Sequence, residues 1–462
     1  MDAYFFGELL QSITERGRSL LERARDRRES AEELSETIVD LSEHLLSGRG
    51  EASGVALASE ILSQYAELTS GPRIAFFEAL AARFGPNHEQ LERAIDAWRA
   101  APSDTSAALV HAAAEPRRQE LLRRLNLAAG GTGALVRMRE HVLEAMDRRG
   151  DLTVVDKDFA HMFSSWFNRG FLVLRRIDWS TAASVLEKII RYEAVHQIHD
   201  WEDLRRRIDP PDRRCYAFFH PALIDKPLIF VEVALTKDIP SAIGPILATR
   251  RDVVEPAQQT TAVFYSISNC QRGLAGVSFG NFLIKQVVEE IARENKRLTT
   301  FVTLSPVPNF AQWLNRERLA PASSVLSADD RNALSGLDRP AWWQDQTTRE
   351  EVEEPMMRAA AWYFLHAKTR SAMPADSVAR FHLGNGARLD RLNWLADTSE
   401  RAMARSHGLM VNYLYDPDEI EKNHEAYAQQ RTVTASSAVT RLARTKVRDL
   451  AASAGAIKSL FT

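Results

Sequence analysis

The sequence predicts two folded parts of different class: an all-helical N-terminal domain over residues 1–167, then an α/β domain with helical insertions over residues 168–462. Three observations lead to this multidomain α and α+β reading. The chain has 462 residues, too many for one ordinary hydrophobic core. Up to about residue 165 its apolar positions recur at helical spacing. Beyond Pro210-Pro211 the pattern changes to short runs of aromatic and β-branched residues bounded by turn residues, which is the signature of strands.

In the helical part, Leu34, Ile38, Leu41 and Leu45 form one stripe. Ile74, Phe77, Ala81 and Phe84 repeat it after Gly71-Pro72, which reads as the stop of one helix and the start of the next. Arg16 to Arg28 mixes arginine with acidic residues, the pattern of a solvated helix face laced with ion pairs. Gly130-Gly131-Thr132-Gly133 has no apolar strand before it and no lysine in the Walker position, so it reads as a helix–helix turn and not as a phosphate loop. Between Trp166 and Ile208 helices are expected to continue, with Val185, Ile189 and Ile190 inside. Strands are expected at Cys215–Phe219, Leu228–Leu235, Thr261–Ser268, Thr299–Leu304 and Leu409–Tyr415. A helix from about Gly280 buries Ile284, Val287, Val288 and Ile291. Residues 320–375 read as helical insertions, and Thr434 to Ala451 as a terminal basic helix.

Composition excludes several classes. The 59 Lys+Arg nearly balance the 62 Asp+Glu, for a net charge of −3, so nucleic acid is not the expected partner. Two cysteines, Cys215 and Cys270, imply a reducing compartment without a disulfide framework or a cysteine-rich zinc site. His196 and His199 lack a third ligand nearby, so no metal site is expected. The first residues show no basic segment followed by an apolar run, and no stretch reaches the roughly 20 apolar residues that span a bilayer. The expectation is a cytoplasmic protein without membrane contact.

Three constellations carry chemistry. The first is the strand–loop–helix from Phe264 to Ile291, where Gly273 and Gly276 allow close backbone approach and free N–H groups at the helix start suit a pyrophosphate. It resembles the coenzyme A loop of the N-acetyltransferase superfamily at Gly273 and Ala275, although Cys270 stands where that pattern has Gln or Arg. An ordinary tight turn is the competing reading. The second is Leu304-Ser305-Pro306-Val307-Pro308, at the C-terminal end of a strand, where open sheets bind small ligands. Its competing reading is a strand-ending serine bonded to its own backbone. The third is Arg380-Phe381-His382-Leu383 before the Gly384-Asn385-Gly386 turn. Histidine is the natural proton carrier near neutrality, but a lone one is also a common structural residue.

Taken together, the wording of these segments is specific. Phe264-Tyr-Ser-Ile-Ser268, Gly273-Leu274, Phe282-Leu-Ile-Lys285, Leu304-Ser-Pro-Val-Pro308 and Trp313-Leu314 closely resemble the catalytic domain of the malonyl-CoA decarboxylases. So do Phe381-His-Leu383, Asn385-Gly-Ala387, Asn393-Trp394, Ala396-Asp397, Gly408-Leu-Met410, Asn412-Tyr413 and Tyr415. Upstream, Ser164-Ser-Trp-Phe167 and Glu193-Ala-Val-His196 are similar to the same family. The resemblance implies a helical oligomerisation domain, giving a dimer or tetramer, before an acetyltransferase-like (GNAT-type) catalytic domain. It implies malonyl-CoA as substrate and no separate cofactor, since coenzyme A arrives as part of that substrate. It places the catalytic serine on Ser305, the catalytic histidine on His382 and a site tyrosine on Tyr415. Ser268 and the loop Gln271, Arg272, Gly273, Leu274, Ala275 and Gly276 become the expected substrate contacts. Where human-type sequences carry a glutamate before the coenzyme A helix, this chain has Ser278. An acyl-CoA-dependent N-acetyltransferase and a non-catalytic coenzyme A-binding scaffold are the alternatives.

Overall fold

A computed structural model of the chain describes residues 31–47, 51–147, 150–277 and 283–443. The Arg16 to Arg28 segment, the side chain of Leu34, and Ser278 lie outside the described residues. The chain gathers into two compact units. One holds Met1–Val173 with the short segments Phe219–Lys226 and Gln271–Phe279, and the other holds Leu174–Phe218, Pro227–Cys270 and Gly280–Thr462.

The first unit is helical, running from Ala31–Leu46 through Ser70–Arg83, Arg117–Asn126 and Gly131–Met146 to Thr153–Trp166. Ile38, Leu41 and Leu45 are buried, as their stripe requires. The second stripe is shifted: Phe76, Phe77 and Leu80 face inward, and Phe84 follows the helix end. The expected break between two helices is present just before Gly71-Pro72, since one helix ends at Glu67. Helix Ser70–Arg83 begins before that pair, and the proline sits in the first turn, where its missing N–H costs nothing. The glycine cluster is the expected turn, with Gly130 at φ 70° closing onto helix Gly131–Met146.

A buried ion pair ties this unit together. Arg118 Nε lies 2.6 Å from Asp158 Oδ2, and its Nη1 donates to the Leu80 and Ala81 carbonyls. Gln119 Nε2 donates to the other Asp158 oxygen at 2.8 Å. Both Asp158 oxygens thereby have a donor, and the buried guanidinium has carbonyl acceptors besides its carboxylate.

The second unit is built on an eight-stranded sheet: β1 (Val173–Ile177), β2 (Arg213–Phe219), β3 (Pro227–Thr236), β4 (Thr261–Asn269), β5 (Thr300–Thr303), β6 (Ser305–Pro306), β7 (Arg388–Asn393) and β8 (Met410–Leu414). Its order is β1-β2-β3-β4-β5-β8-β6, with β7 also paired to β8. The five expected strands fall on β2, β3, β4, β5 and β8. Two others run against expectation. Val173-Leu-Arg-Arg-Ile177 is a strand within a stretch read as helix, because its five residues, mostly not buried, are too few to show a period and only sheet pairing selects the extended form. Arg388-Leu-Asp-Arg-Leu-Asn393 is masked by its charges. The terminal helix also starts later than expected. Thr434 and Ala435 are extended against Leu389, and helix begins at Ser437.

Two irregularities shape the centre of the sheet. The β3–β4 register slips between Glu232 and Val233, so that Tyr265 is left without an opposite residue, a β-bulge. The parallel pairing of β4 with β5 ends at Phe264 and Thr303, apart from one further bond from Leu304 N to the Phe264 carbonyl. Beyond that point β4 runs on to Asn269, while the other strand turns into β6 and pairs with β8 through Ser305 and Val411. The two strands part.

Arg118→Ala would leave the Asp158 carboxylate buried and unpaired. We expect the helical unit to lose about 3–5 kcal/mol, seen as an earlier transition in urea unfolding; an unchanged midpoint would contradict the role given to this pair.

Candidate active site

Where β4 and β5 part, a cavity of about 220 Å³ opens in the second unit, bordered by Val195, Phe264, Ile267, Ser305, Phe381 and His382 among others. Ser305 enters it at the start of β6. Its Oγ lies 3.0 Å from His382 Nε2 and donates to Thr303 Oγ1 at 2.9 Å. The other imidazole nitrogen, Nδ1, lies 2.8 Å from the Tyr415 hydroxyl. The structure thus brings together the serine, histidine and tyrosine, which are far apart in sequence, into one hydrogen-bonded chain.

Each member is held locally. His382 occupies the last turn of helix Ser377–Gly384, whose first turn is capped by the Asp376 carboxylate at 2.8 Å from Ala379 N. The helix ends in a tight turn at Gly386, φ 81°, where a Cβ would stand 2.1 Å from the Ile420 carbonyl oxygen. Only glycine fits there. The imidazole is stacked on Tyr413, with centroids 4.6 Å apart, and Phe381 meets its edge at 5.1 Å. Thr303 is fixed in turn. Its Oγ1 accepts from Tyr413 N, and its carbonyl accepts from Asn412 Nδ2 at 2.7 Å. Asn412 Oδ1 accepts from Asn393 Nδ2 and Arg391 Nε, and Arg391 also donates to the carbonyls of Ile239 and Pro240.

The site is buried and neutral. Ser305 and His382 are buried. Burial pushes the His382 imidazole down to about 3, and it pushes the Tyr413 and Tyr415 hydroxyls well above their ordinary value. A neutral imidazole carries one N–H. With Tyr415 Oη donating to Nδ1, that proton sits on Nε2 and donates to Ser305 Oγ, whose own hydroxyl donates to Thr303. This assignment leaves each donor with one acceptor along the chain.

The expected substrate contacts are dispersed. Ser268 is buried and its hydroxyl is engaged by Glu193 Oε2 at 3.1 Å and by Ala194 N at 3.2 Å, away from the cavity's border. Gln271 to Gly276 cluster with the helical unit. A Cβ on Gly273 would stand 1.9 Å from the Val136 carbonyl oxygen, so the backbone this glycine admits is the protein's own. Arg139 Nη1 holds the Gly273 and Ala275 carbonyls at 2.9 and 2.8 Å. Arg272 faces Glu140 and Glu144, Leu274 is buried, and Gly276 has φ 74°.

Sequence reasoning missed Thr303, Tyr413 and Glu193. The first two had a signal, since side chains two apart on a strand share a face: Thr303 with Ser305, Tyr413 with Tyr415. Glu193 had none beyond its motif. Its Oε1 accepts from Val195 N, His196 N and Ser266 Oγ, which pins the segment whose Val195 walls the cavity.

The depressed His382 has a consequence for stability. The unfolded chain takes up a proton near the ordinary value of 6.5 while the folded chain does so only near 3. Between those values the unfolded state binds more protons, so stability falls as pH is lowered from about 6.5 and levels off below about 3. His382→Gln should flatten part of this slope in urea unfolding between pH 7 and pH 5; an identical slope would show an imidazole that charges freely in the fold.

With this geometry described, comparison with known proteins is informative. The family model described as the malonyl-CoA decarboxylase C-terminal domain matches residues 170–453, and that of the malonyl-CoA decarboxylase N-terminal domain matches residues 84–167. The mitochondrial malonyl-CoA decarboxylase of the goose Anser anser anser is 33% identical over 415 residues, covering 83% of this chain and 82% of its own. The crystal structure of malonyl-CoA decarboxylase from Rhodopseudomonas palustris is 59% identical, covers 88% of this chain and 99% of its own, and superposes with a TM-score of 0.85. That from Agrobacterium vitis is 57% identical, with the same coverage and a TM-score of 0.83. The chain belongs to the malonyl-CoA decarboxylase family.

Proposed function

We propose that the chain converts malonyl-CoA to acetyl-CoA and carbon dioxide, with Ser305 and His382 as the groups that deliver the proton. The observation that carries this reading is the buried hydrogen-bonded chain Thr303–Ser305–His382–Tyr415 at a cavity between parting strands. In the reaction, the bond between the carboxylate carbon and the α-carbon breaks, and its electron pair passes into the thioester carbonyl to give an enolate. Holding the carboxylate out of the carbonyl plane is a positioning task for a closely fitting cavity. Backbone N–H groups beside the strand irregularity at Tyr265 are suited to bear charge on the thioester oxygen.

The α-carbon then takes a proton. Ser305 is the near donor, and His382 Nε2–H restores the serine. Because burial so strongly disfavours an imidazolium, His382 serves as a neutral relay: as Nε2–H moves to Ser305, the Tyr415 proton moves toward Nδ1, and solvent supplies the one proton the reaction consumes. An enolate is basic enough to draw a proton from such a neutral chain. Coenzyme A enters as part of the substrate. Its pyrophosphate is assigned to the loop Gln271–Gly276, and Ser268 on β4 is kept among the substrate contacts. Because Gly273 is packed on helix backbone, a larger residue there would disturb the fold, and Arg272→Ala, whose guanidinium is exposed, is the cleaner probe of that loop.

The helical unit is read as an assembly surface giving a dimer or tetramer. Among the described residues no helix is long and apolar enough to cross a membrane, which is compatible with a cytoplasmic setting.

Ser305→Ala and His382→Asn should each fold and lose about 10²–10⁴-fold in turnover of malonyl-CoA, a usual range for acid–base groups. Because the two act as a unit, the double variant should be little worse than the poorer single. Retention of near-normal turnover by His382→Asn would end its assignment as relay, and acetylation of an added amine in place of acetyl-CoA release would favour the N-acetyltransferase alternative.

A further inference from the structure

A second, larger cavity of about 480 Å³ lies in the same unit, with Val195 and Pro306 bordering both it and the reaction cavity. Its floor is apolar, formed by Ile243, Leu247, Val307, Leu409 and Met410, and its rim carries the guanidinium groups of Arg206, Arg207, Arg401 and Arg405. The carboxylates present are Asp203 and Asp397. Asp203 is taken by Arg206 at 3.4 Å, by Arg207 at 3.2 Å and by His199 N, while Arg207 also pairs with Glu232 at 3.3 Å. Asp397 accepts from Ser399 N.

Two cations and the Asp397 carboxylate are left without an ion-pair partner among the described residues. Arg401 and Arg405 stand one turn apart on helix Glu400–Ser406, hence on one face. Arg401 makes one long contact, 3.5 Å to the Val195 carbonyl, and Arg405 has no hydrogen-bond or ion-pair partner among the described residues. The two exposed guanidinium groups stand over a concave apolar floor. Guanidinium pairs with carboxylate in a fork geometry that a halide cannot match, and the floor offers its contact area only to an organic chain.

We propose that this cavity binds a small organic carboxylate with a short aliphatic chain, its carboxylate between Arg401 and Arg405 and its chain on the Ile243–Met410 floor. The ligand is distinct from malonyl-CoA. Its carboxylate competes with the Val195 carbonyl for Arg401, and Val195 is a wall of the reaction cavity, so occupancy of this site alters the fit of the substrate next door.

The test is calorimetric titration of the full chain with hexanoate at constant ionic strength, with acetate (no chain) and 1-hexanol (no charge) as comparators. We expect saturable hexanoate binding with a dissociation constant of about 1 mM or tighter, and weaker binding of both comparators. Arg401→Ala with Arg405→Ala should weaken hexanoate by about tenfold or more, as loss of charge-assisted bonds implies. Arg405→Glu alone, at an exposed position with no partner to lose, should weaken it while keeping the native circular dichroism. Heat that does not saturate, hexanol binding as well as hexanoate, or unchanged affinity in both variants would overturn the proposal. Titration repeated on enzyme saturated with coenzyme A separates the two cavities: hexanoate should still bind, and its complete displacement would assign the cavity to the substrate instead.

Discussion

Thr303 is the residue at which the sheet stops being regular, and the site depends on how that break is tied off. Up to Thr303 strand β5 pairs with β4 in parallel; one residue later the main-chain partnership ends. The threonine answers the loss with its side chain, accepting from Tyr413 N and Ser305 Oγ, while its carbonyl takes the Asn412 amide. Unpaired backbone inside a protein is costly, so a strand break in a buried sheet requires such substitutes. Here the substitutes are also the groups that aim Ser305. The opening between the strands and the orientation of the serine are therefore one structural event.

The same economy governs the imidazole. Tyr413 supplies a stacking surface and Tyr415 a hydrogen bond, the first from β8 and the second from the residue just past its end, while Asn412 of β8 braces Thr303. A strand with period two presents both functions at once. Burial then decides the chemistry: an imidazole held near 3 by it is neutral at any physiological pH, so it passes a proton along and does not store one.

Much of this was legible in the sequence. Strands rich in aromatic and β-branched residues declared themselves, and Ser305 at a strand end with His382 before Gly384-Asn385-Gly386 were findable once the surrounding words were set beside a known family. What was hidden had physical reasons. The short strand β1 and the charged strand β7 are chosen by their neighbours and not by local preference. His382 sits on a helix of eight residues, too short for its period to register. Gly273 looked like a ligand-facing glycine, and its immediate neighbour is the Val136 carbonyl, because a glycine that permits close approach does not say what approaches.

The account rests on a neutral relay that reaches from Ser305 through His382 to Tyr415, and the far end of that relay is its most exposed point. Tyr415→Phe keeps the ring, its packing on Phe264 and the burial of the imidazole, and removes only the hydroxyl at 2.8 Å from Nδ1. Steady-state turnover of malonyl-CoA by this variant is the direct measurement. A fall in kcat of about tenfold or more with KM nearly unchanged is the result the relay predicts, since the lost group acts after binding. A kcat equal to that of the unmodified enzyme would contradict it.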